Sequence, residues 1–196
     1  IIGVDPDGGD GLTYSIVDEL DGAMFAIEGS GKNDTSLRLA DGETLDFETQ
    51  DQYEVTLMAT DDYGALTYTE TFTIDVNDIN EVPTQITLTK TDVDENSLGA
   101  EIGVIDGVDP DAGDTLTYSI VAGGDADKFA LDATTNTLSF APGHSADMED
   151  KSDYSITLAA FDGDLTYNKD FTIDVNDINE IPTDITLTNN IVDENV

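Results

Sequence analysis

Pairs of carboxylates set two residues apart recur along this 196-residue chain, and they are the side chains whose type and spacing could do chemistry. Asp5-Pro6-Asp7 and Asp109-Pro110-Asp111 are one kind of pair; Asp46-Phe47-Glu48 and Asp147-Met148-Glu149 are a second. Alternate residues of an extended loop can aim two carboxylates at one point. A point lined in this way attracts a hard cation, and calcium takes roughly six to eight such oxygens. Asp61, Asp162 and the polar run Asp78-Ile79-Asn80-Glu81 offer more.

Composition points the same way. Against 6 basic residues stand 44 acidic ones, a formal net charge of −38. A field of that sign repels nucleic acid and anionic membrane surfaces and collects cations. Acidic chains are often disordered, yet 38% hydrophobic residues with seven Tyr and seven Phe, set in regular alternation, argue for a folded one. Without cysteine there are neither disulfides nor thiolate metal sites. A small secreted module then needs another staple, and bound metal is the candidate. No stretch approaches the roughly 20 apolar residues of a membrane helix, so no membrane insertion is expected. The first residues lack the basic start of a signal peptide, so the chain reads as a piece of something longer.

Internal repetition defines the elements that position these carboxylates. Leu12-Thr13-Tyr14-Ser15-Ile16-Val17 recurs letter for letter at 116–121, and the ten residues from Phe72 to Glu81 recur from Phe171 to Glu180. The matches are offset differently, which places insertions in the turns between them. Within each copy the period is two: Tyr53, Val55, Leu57 and Ala59 alternate with Glu54, Thr56 and Met58, and Tyr154, Ile156, Leu158 and Ala160 repeat the pattern. In the second copy, strands are predicted over 85–89, 100–105, 116–121, 128–132, 137–141, 154–161 and 165–175. Seven short antiparallel strands predict an all-β fold: two tandem immunoglobulin-like, seven-strand Greek-key sandwiches arranged end to end.

This strand map puts the acidic residues in loops at the ends of each sandwich. Asp109, Asp111 and Asp162 fall at one end of the second copy, and Asp5, Asp7 and Asp61 at the same end of the first. Asp46 with Glu48, and Asp147 with Glu149, fall at the opposite ends. In a tandem array Asp46, Glu48, Asp78, Asn80 and Glu81 would face Asp109, Asp111 and Asp162. Such a junction supplies enough oxygens for calcium, and without metal its charges, within a Debye length of about 8 Å, would repel one another.

In order, Asp94-Glu95-Asn96, Asp109-Pro110-Asp111, Asp147-Met148-Glu149, Ala160-Phe161-Asp162 and Asp177-Ile178-Asn179-Glu180 resemble the five motifs of the cadherin repeat. The resemblance spans the whole chain. It implies cadherin-type sandwiches, calcium held at junctions between repeats by ligands that include Glu95, Asp177, Asn179 and Glu180, and an adhesive extracellular rod at a cell surface or in a secreted protein. Glu81 and Glu180 stand where the family more often has aspartate, and Asp75-Val76-Asn77-Asp78 offers a second linker register. The Asp-Pro-Asp-Ala-Gly-Asp wording resembles bacterial cadherin-like repeats more than animal ones. The expected domains are 1–82, a first repeat lacking its first strand; 83–181, a complete repeat; and 182–196, the first strand of a following repeat. That last strand could complete the gap in the first repeat of another molecule.

Other readings fit less well. Asp109-Pro110-Asp111-Ala112-Gly113-Asp114 mimics the start of an EF-hand loop, but the twelfth position is Ile120 and no helices flank it. Gly8-Gly9-Asp10-Gly11 is too short for a calcium β-roll. Paired carboxylates duplicated in turns fit ligation better than glycosidase acid–base work, His144 is the only histidine, and no nucleophile has a partner base, so the chain is expected not to be an enzyme. Asn33-Asp34-Thr35 matches a glycosylation acceptor. The alternative function is a calcium-stabilised carbohydrate-binding module. The expected partners are therefore a second copy, in a homophilic or strand-exchanged dimer, or a surface polysaccharide.

Overall fold

Alternating apolar residues make half-buried strands, and the strands form where the alternation runs. The computed structural model describes residues 1–7, 11–17, 19–29, 35–62, 66–188, 190, 191 and 194. Asn33, Asp34, Asp193 and Asn195, and Gly8 to Asp10 of the glycine-rich run, lie outside the described residues. The chain divides into two compact units, Ile1–Asn80 and Glu81–Val196.

Unit 1 contains β1 (Leu12–Val17), β2 (Phe25–Glu28), β3 (Ser36–Leu39), β4 (Gln52–Asp61) and β5 (Thr67–Asp75). Unit 2 contains β6 (Gln85–Leu88), β7 (Asp92–Asp94), β8 (Glu101–Val108), β9 (Thr117–Val121), β10 (Phe129–Asp132), β11 (Thr137–Phe140), β12 (Asp153–Phe161) and β13 (Thr166–Asn176). In unit 2 one sheet has the order β10-β11-β8-β6 and the other β7-β13-β12-β9. Their inner faces bury Ile86, Ile102, Ile105, Leu138, Ile156, Leu158 and Ile173. Phe129 stacks on Phe140 with centroids 5.0 Å apart, and Tyr154 meets both rings edge-on at 5.9 and 5.2 Å. Offset and edge-on pairs are the favoured aromatic geometries.

All seven strands expected in the second copy are present. The one not foreseen is β7, three residues long, which pairs parallel with β13 in the register Val93↔Val175. Three residues are too few for an alternation to show, and only Val93 turns into the core. Through β7 the chain passes from the sheet of β6 to the sheet of β13, so the repeat's opening segment belongs to both.

Unit 1 repeats the same plan with fewer strands: β1-β4-β5 in one sheet and β2-β3 in the other. Its core is correspondingly small, Phe25, Tyr53, Val55 and Leu57, with Phe25 and Tyr53 edge-on at 6.2 Å. Ile1–Val4 forms no ladder among the described residues. The segment occupies the place of Ile105–Val108, since Ile1 donates to the carbonyl of Thr35 just as Ile105 donates to that of Asn136. In unit 2, however, residues 105–108 are laddered to β6 alone, and among the described residues of unit 1 nothing corresponds to β6. The described residues of 182–196 are likewise in no ladder.

Both units close the turn before β12 or β4 with a half-buried aspartate. Asp125 Oδ2 accepts the Ser155 amide at 2.8 Å and its Oδ1 accepts Lys151 Nζ; Asp21 Oδ2 accepts the Glu54 amide at 2.8 Å and Gln50 Nε2 at 3.3 Å. Burial pushes the Asp125 carboxyl up, but the Lys151 and Ser155 hydrogen bonds outweigh it and hold the group below its ordinary range. A depressed carboxyl stabilises the fold above its unfolded pKa and loses that contribution as the pH falls through the folded value. Asp125→Ala should therefore destabilise unit 2 by about 1–3 kcal/mol at neutral pH. In thermal melts followed by tyrosine fluorescence, the difference from the parent should shrink on acidification below about pH 4.

Candidate metal centres

At one end of unit 2, β7 delivers a glutamate into the interior. Val93 is buried, and two residues on Glu95 is only 2% exposed. Its Oε1 accepts the amide of Ile178 and its Oε2 the amide of Met148, both at 2.7 Å. These hydrogen bonds hold the Glu95 carboxyl below the usual range, and each oxygen keeps a lone pair for a metal. Asn96 follows in the left-handed region at φ 65°, a conformation asparagine tolerates. There its side-chain amide donates to Glu180 Oε1 at 2.7 Å. Glu95, Glu149 and Glu180 thus each present an oxygen within 4.8 Å of the others. A hydrogen bond to its own backbone amide lowers the Glu149 carboxyl. Desolvation and the charges of Glu95, Glu180 and Asp147 override it, and the net shift is upward.

At the other end, the loop after β8 is shaped by its own carboxylates. The Asp111 amide donates to Asp109 Oδ1 at 3.1 Å, and Asp111 Oδ2 accepts the amide of Glu81 at 2.8 Å. Asp109, Asp111 and Asp114 bring one oxygen each within 4.8 Å of the others. Asp109 Oδ2 is buried with no hydrogen-bond partner among the described residues. An orphaned carboxylate oxygen is costly unless a cation satisfies it. The three aspartates line an open depression of about 380 Å³, room enough for a hydrated ion. Asp114 was legible only as part of the EF-hand mimic; Gly113, at φ 114°, turns the loop back toward Asp109 and Asp111.

Asp162 was expected beside Asp109 and Asp111, but it is not one of that group. Its Oδ1 accepts the amides of Asp164 and Leu165, both at 2.7 Å, shaping its own turn. Asp147 Oδ1 caps the Asp150 amide at 3.2 Å, and Asp46 Oδ1 the Thr49 amide at 3.0 Å. In unit 1 the Asp7 amide donates to Asp5 Oδ1 at 2.8 Å, and Asp61 Oδ1 is buried without a partner among the described residues. Asp5, Asp7 and Asp61 do not converge on one point among the described residues. Glu48 and Asp78 offer oxygens within 4.8 Å of each other, and Glu81 contributes its amide to Asp111. Asn80, Asp177 and Asn179 are exposed. Asn176, the last residue of β13, donates its side-chain amide to Asp92 and Asp94 at 2.8 and 3.0 Å and clamps β7 to β13.

No family model matches the sequence. Among known proteins, Cadherin-related family member 1 of Xenopus laevis is 33% identical over 136 residues, 62% of this chain and 15% of that protein. Protocadherin Fat 4 of Homo sapiens is 31% identical over 188 residues, 88% of this chain and 4% of that protein. The chain therefore spans a small fraction of the curated relatives it matches. The crystal structure of mouse cadherin-23 EC22-24 superposes with a TM-score of 0.60 at 26% identity, covering 89% of this chain and 57% of that one. The all-β chain is thus made of cadherin-like repeat domains, and the proteins it resembles are cadherins and protocadherins rather than enzymes.

The two shifts in the glutamate cluster have opposite signs. Glu95 stabilises the fold when ionised, and this is lost as the pH falls; ionised Glu149, whose carboxyl is raised, is a cost that rises with pH. Glu149→Gln should raise the thermal midpoint of the chelator-treated protein at neutral pH. Glu95→Ala should lower it and speed hydrogen exchange of the Met148 and Ile178 amides, read by NMR. An unchanged exchange rate at both amides would contradict the buried anchor.

Proposed function

We propose that this chain is a calcium-binding structural and adhesive module of an extracellular protein, in which bound calcium stiffens the path of the chain from one repeat into the next. Glu95 carries the reading. Its carboxylate ties the segment leaving the repeat, at Ile178, to the Asp147–Glu149 loop, at Met148, and stands beside Glu149 and Glu180. The Glu81–Asp111 hydrogen bond does the same for the segment entering it. A cation at either carboxylate group would relieve the repulsion that raises Glu149 and satisfy Asp109 Oδ2. In this proposal Glu95, Asp147, Glu149, Asp177, Asn179 and Glu180 serve one end of the second repeat, with Asp109, Asp111, Asp114 and Asp162 at the other. Asp46, Glu48, Asp78, Asn80 and Glu81, and Asp5, Asp7 and Asp61, are the corresponding sets for the first. Self-association at a cell surface belongs to the same reading. So does a bacterial parent, on the wording of the Asp109–Asp114 loop alone; the relatives named above are vertebrate. The likeness to cadherins gives the polysaccharide reading no support.

Calcium titration of chelator-treated protein by calorimetry tests the proposal, with melting followed in parallel. Extracellular calcium modules bind with dissociation constants of ~10⁻⁴ to 10⁻³ M. At the tighter figure, millimolar calcium adds about 1.4 kcal/mol of stability per site. Asp111→Ala should remove the binding contributed by the Asp109–Asp114 loop and leave the glutamate cluster titrating. No heat and no thermal shift at several times the weaker dissociation constant would overturn the calcium reading.

A further inference from the structure

Aspartate followed by glycine is the dipeptide at which a side-chain carboxyl can react with its own main chain, because glycine leaves its amide nitrogen unshielded. The sequence contains six such bonds, and four of them, Asp21-Gly22, Asp41-Gly42, Asp106-Gly107 and Asp162-Gly163, have both residues described. Three of the four are held in place. Asp21 accepts the amide of Glu54 at 2.8 Å, and the Gly22 amide donates to the Glu19 carbonyl at 3.1 Å. Asp106 and Gly107 are laddered to Thr87 and Ile86, and a Cβ on Gly107 would stand 2.9 Å from the Gln85 carbonyl oxygen. Asp162 Oδ1 accepts the amides of Asp164 and Leu165, both at 2.7 Å.

Asp41-Gly42 is held differently. The Glu43 amide donates to the Ala40 carbonyl at 3.1 Å and closes a turn with Asp41 and Gly42 at its centre. Gly42 lies at φ 90°, and no atom comes within 4 Å of where its Cβ would stand. A positive φ at the third residue marks a type II turn, in which the central amide points away from the closing hydrogen bond. The Asp41 side chain is 92% exposed, and its Oδ1 accepts Arg38 Nη1 at 2.7 Å. Arg38 is anchored in turn, since Nη1 also donates to the Leu39 carbonyl at 2.8 Å. A surface ion pair of this kind contributes little free energy and is screened by salt.

We propose that Asp41-Gly42 is a self-modification site, at which the chain isomerises to isoaspartate, and that the Arg38–Asp41 ion pair is the latch that slows it. The Gly42 nitrogen attacks Asp41 Cγ. The N–Cγ bond forms while the amide proton and a carboxyl hydroxyl leave as one water, giving a cyclic imide. Water then adds at one of the two imide carbonyls. Addition at Cγ restores aspartate. Addition at the main-chain carbonyl breaks the original peptide bond, so that Gly42 is joined through Cγ and a free α-carboxylate remains. Composition and oxidation state are unchanged, and no co-reactant beyond water is needed. Isoaspartate lengthens the main chain by one carbon inside the Ala40–Glu43 turn and withdraws the carboxylate from Arg38, which keeps Glu28 at 3.7 Å.

Ageing the folded protein in chelator, followed by peptide mapping with mass spectrometry, tests the proposal and is independent of the calcium reading. The peptide spanning Asp41 should split into two species of equal mass, one of them methylated by an isoaspartyl methyltransferase. Ageing in heavy-oxygen water should place one heavy oxygen in that species. Arg38→Gln, and separately a high salt concentration on the parent, should each speed its appearance. Asp41→Glu should abolish it, because the larger ring closes far more slowly. No isoaspartate at position 41, its appearance first at Asp21, Asp106 or Asp162, or an unchanged rate both in Arg38→Gln and at high salt would overturn the proposal.

Discussion

Glu95 is almost wholly removed from solvent, yet its carboxyl is held below the usual range because two backbone amides donate to it. Burying a charge is tolerable only where hydrogen bonds or counter-charges replace water. Here the amides of Met148 and Ile178 supply the first, and the oxygens of Glu149 and Glu180 leave a place for the second. The loop before β12, the segment after β13 and the end of β7 all depend on this one side chain for their mutual position. The short parallel ladder of β7 with β13, clamped by Asn176, exists in the place that brings Glu95 there.

Charge and core divide the molecule between them. The sheets supply cohesion through alternating apolar residues and the Phe129–Phe140–Tyr154 cluster, while the carboxylates of the two groups in unit 2, Glu95, Glu149 and Glu180 and Asp109, Asp111 and Asp114, lie outside the strands. Many of those carboxylates are used twice. Asp109, Asp46, Asp147 and Asp162 each accept a nearby backbone amide, so the turns form without an ion. What the bare loops do not do is satisfy every oxygen, as Asp109 Oδ2 and Asp61 Oδ1 show.

Unit 1 shows what the opening strand contributes. Among the described residues its buried core is Phe25, Tyr53, Val55 and Leu57, where that of unit 2 is a continuous cluster reaching both sheets. The side chains that would meet an opening strand, Tyr68 and Phe72, face solvent instead.

The sequence by itself determined the repeat, the period-two strands and the loops in which the carboxylates fall, because these depend on local alternation and on letter-for-letter recurrence within one chain. It placed all seven long strands of the second unit and the Asp109–Asp111 and Asp147–Glu149 pairs. Tertiary structure decided which carboxylates meet. Asp114 joins Asp109 and Asp111 while Asp162 does not, because Gly113 turns the loop back and Asp162 is held by the amides of its own turn. Only the fold could reveal β7, whose three residues leave no period to read, and with it the burial of Glu95. The pairing of Ile105–Val108 with β6 alone, which explains why Ile1–Val4 forms no ladder, is a long-range register, and no local pattern encodes it.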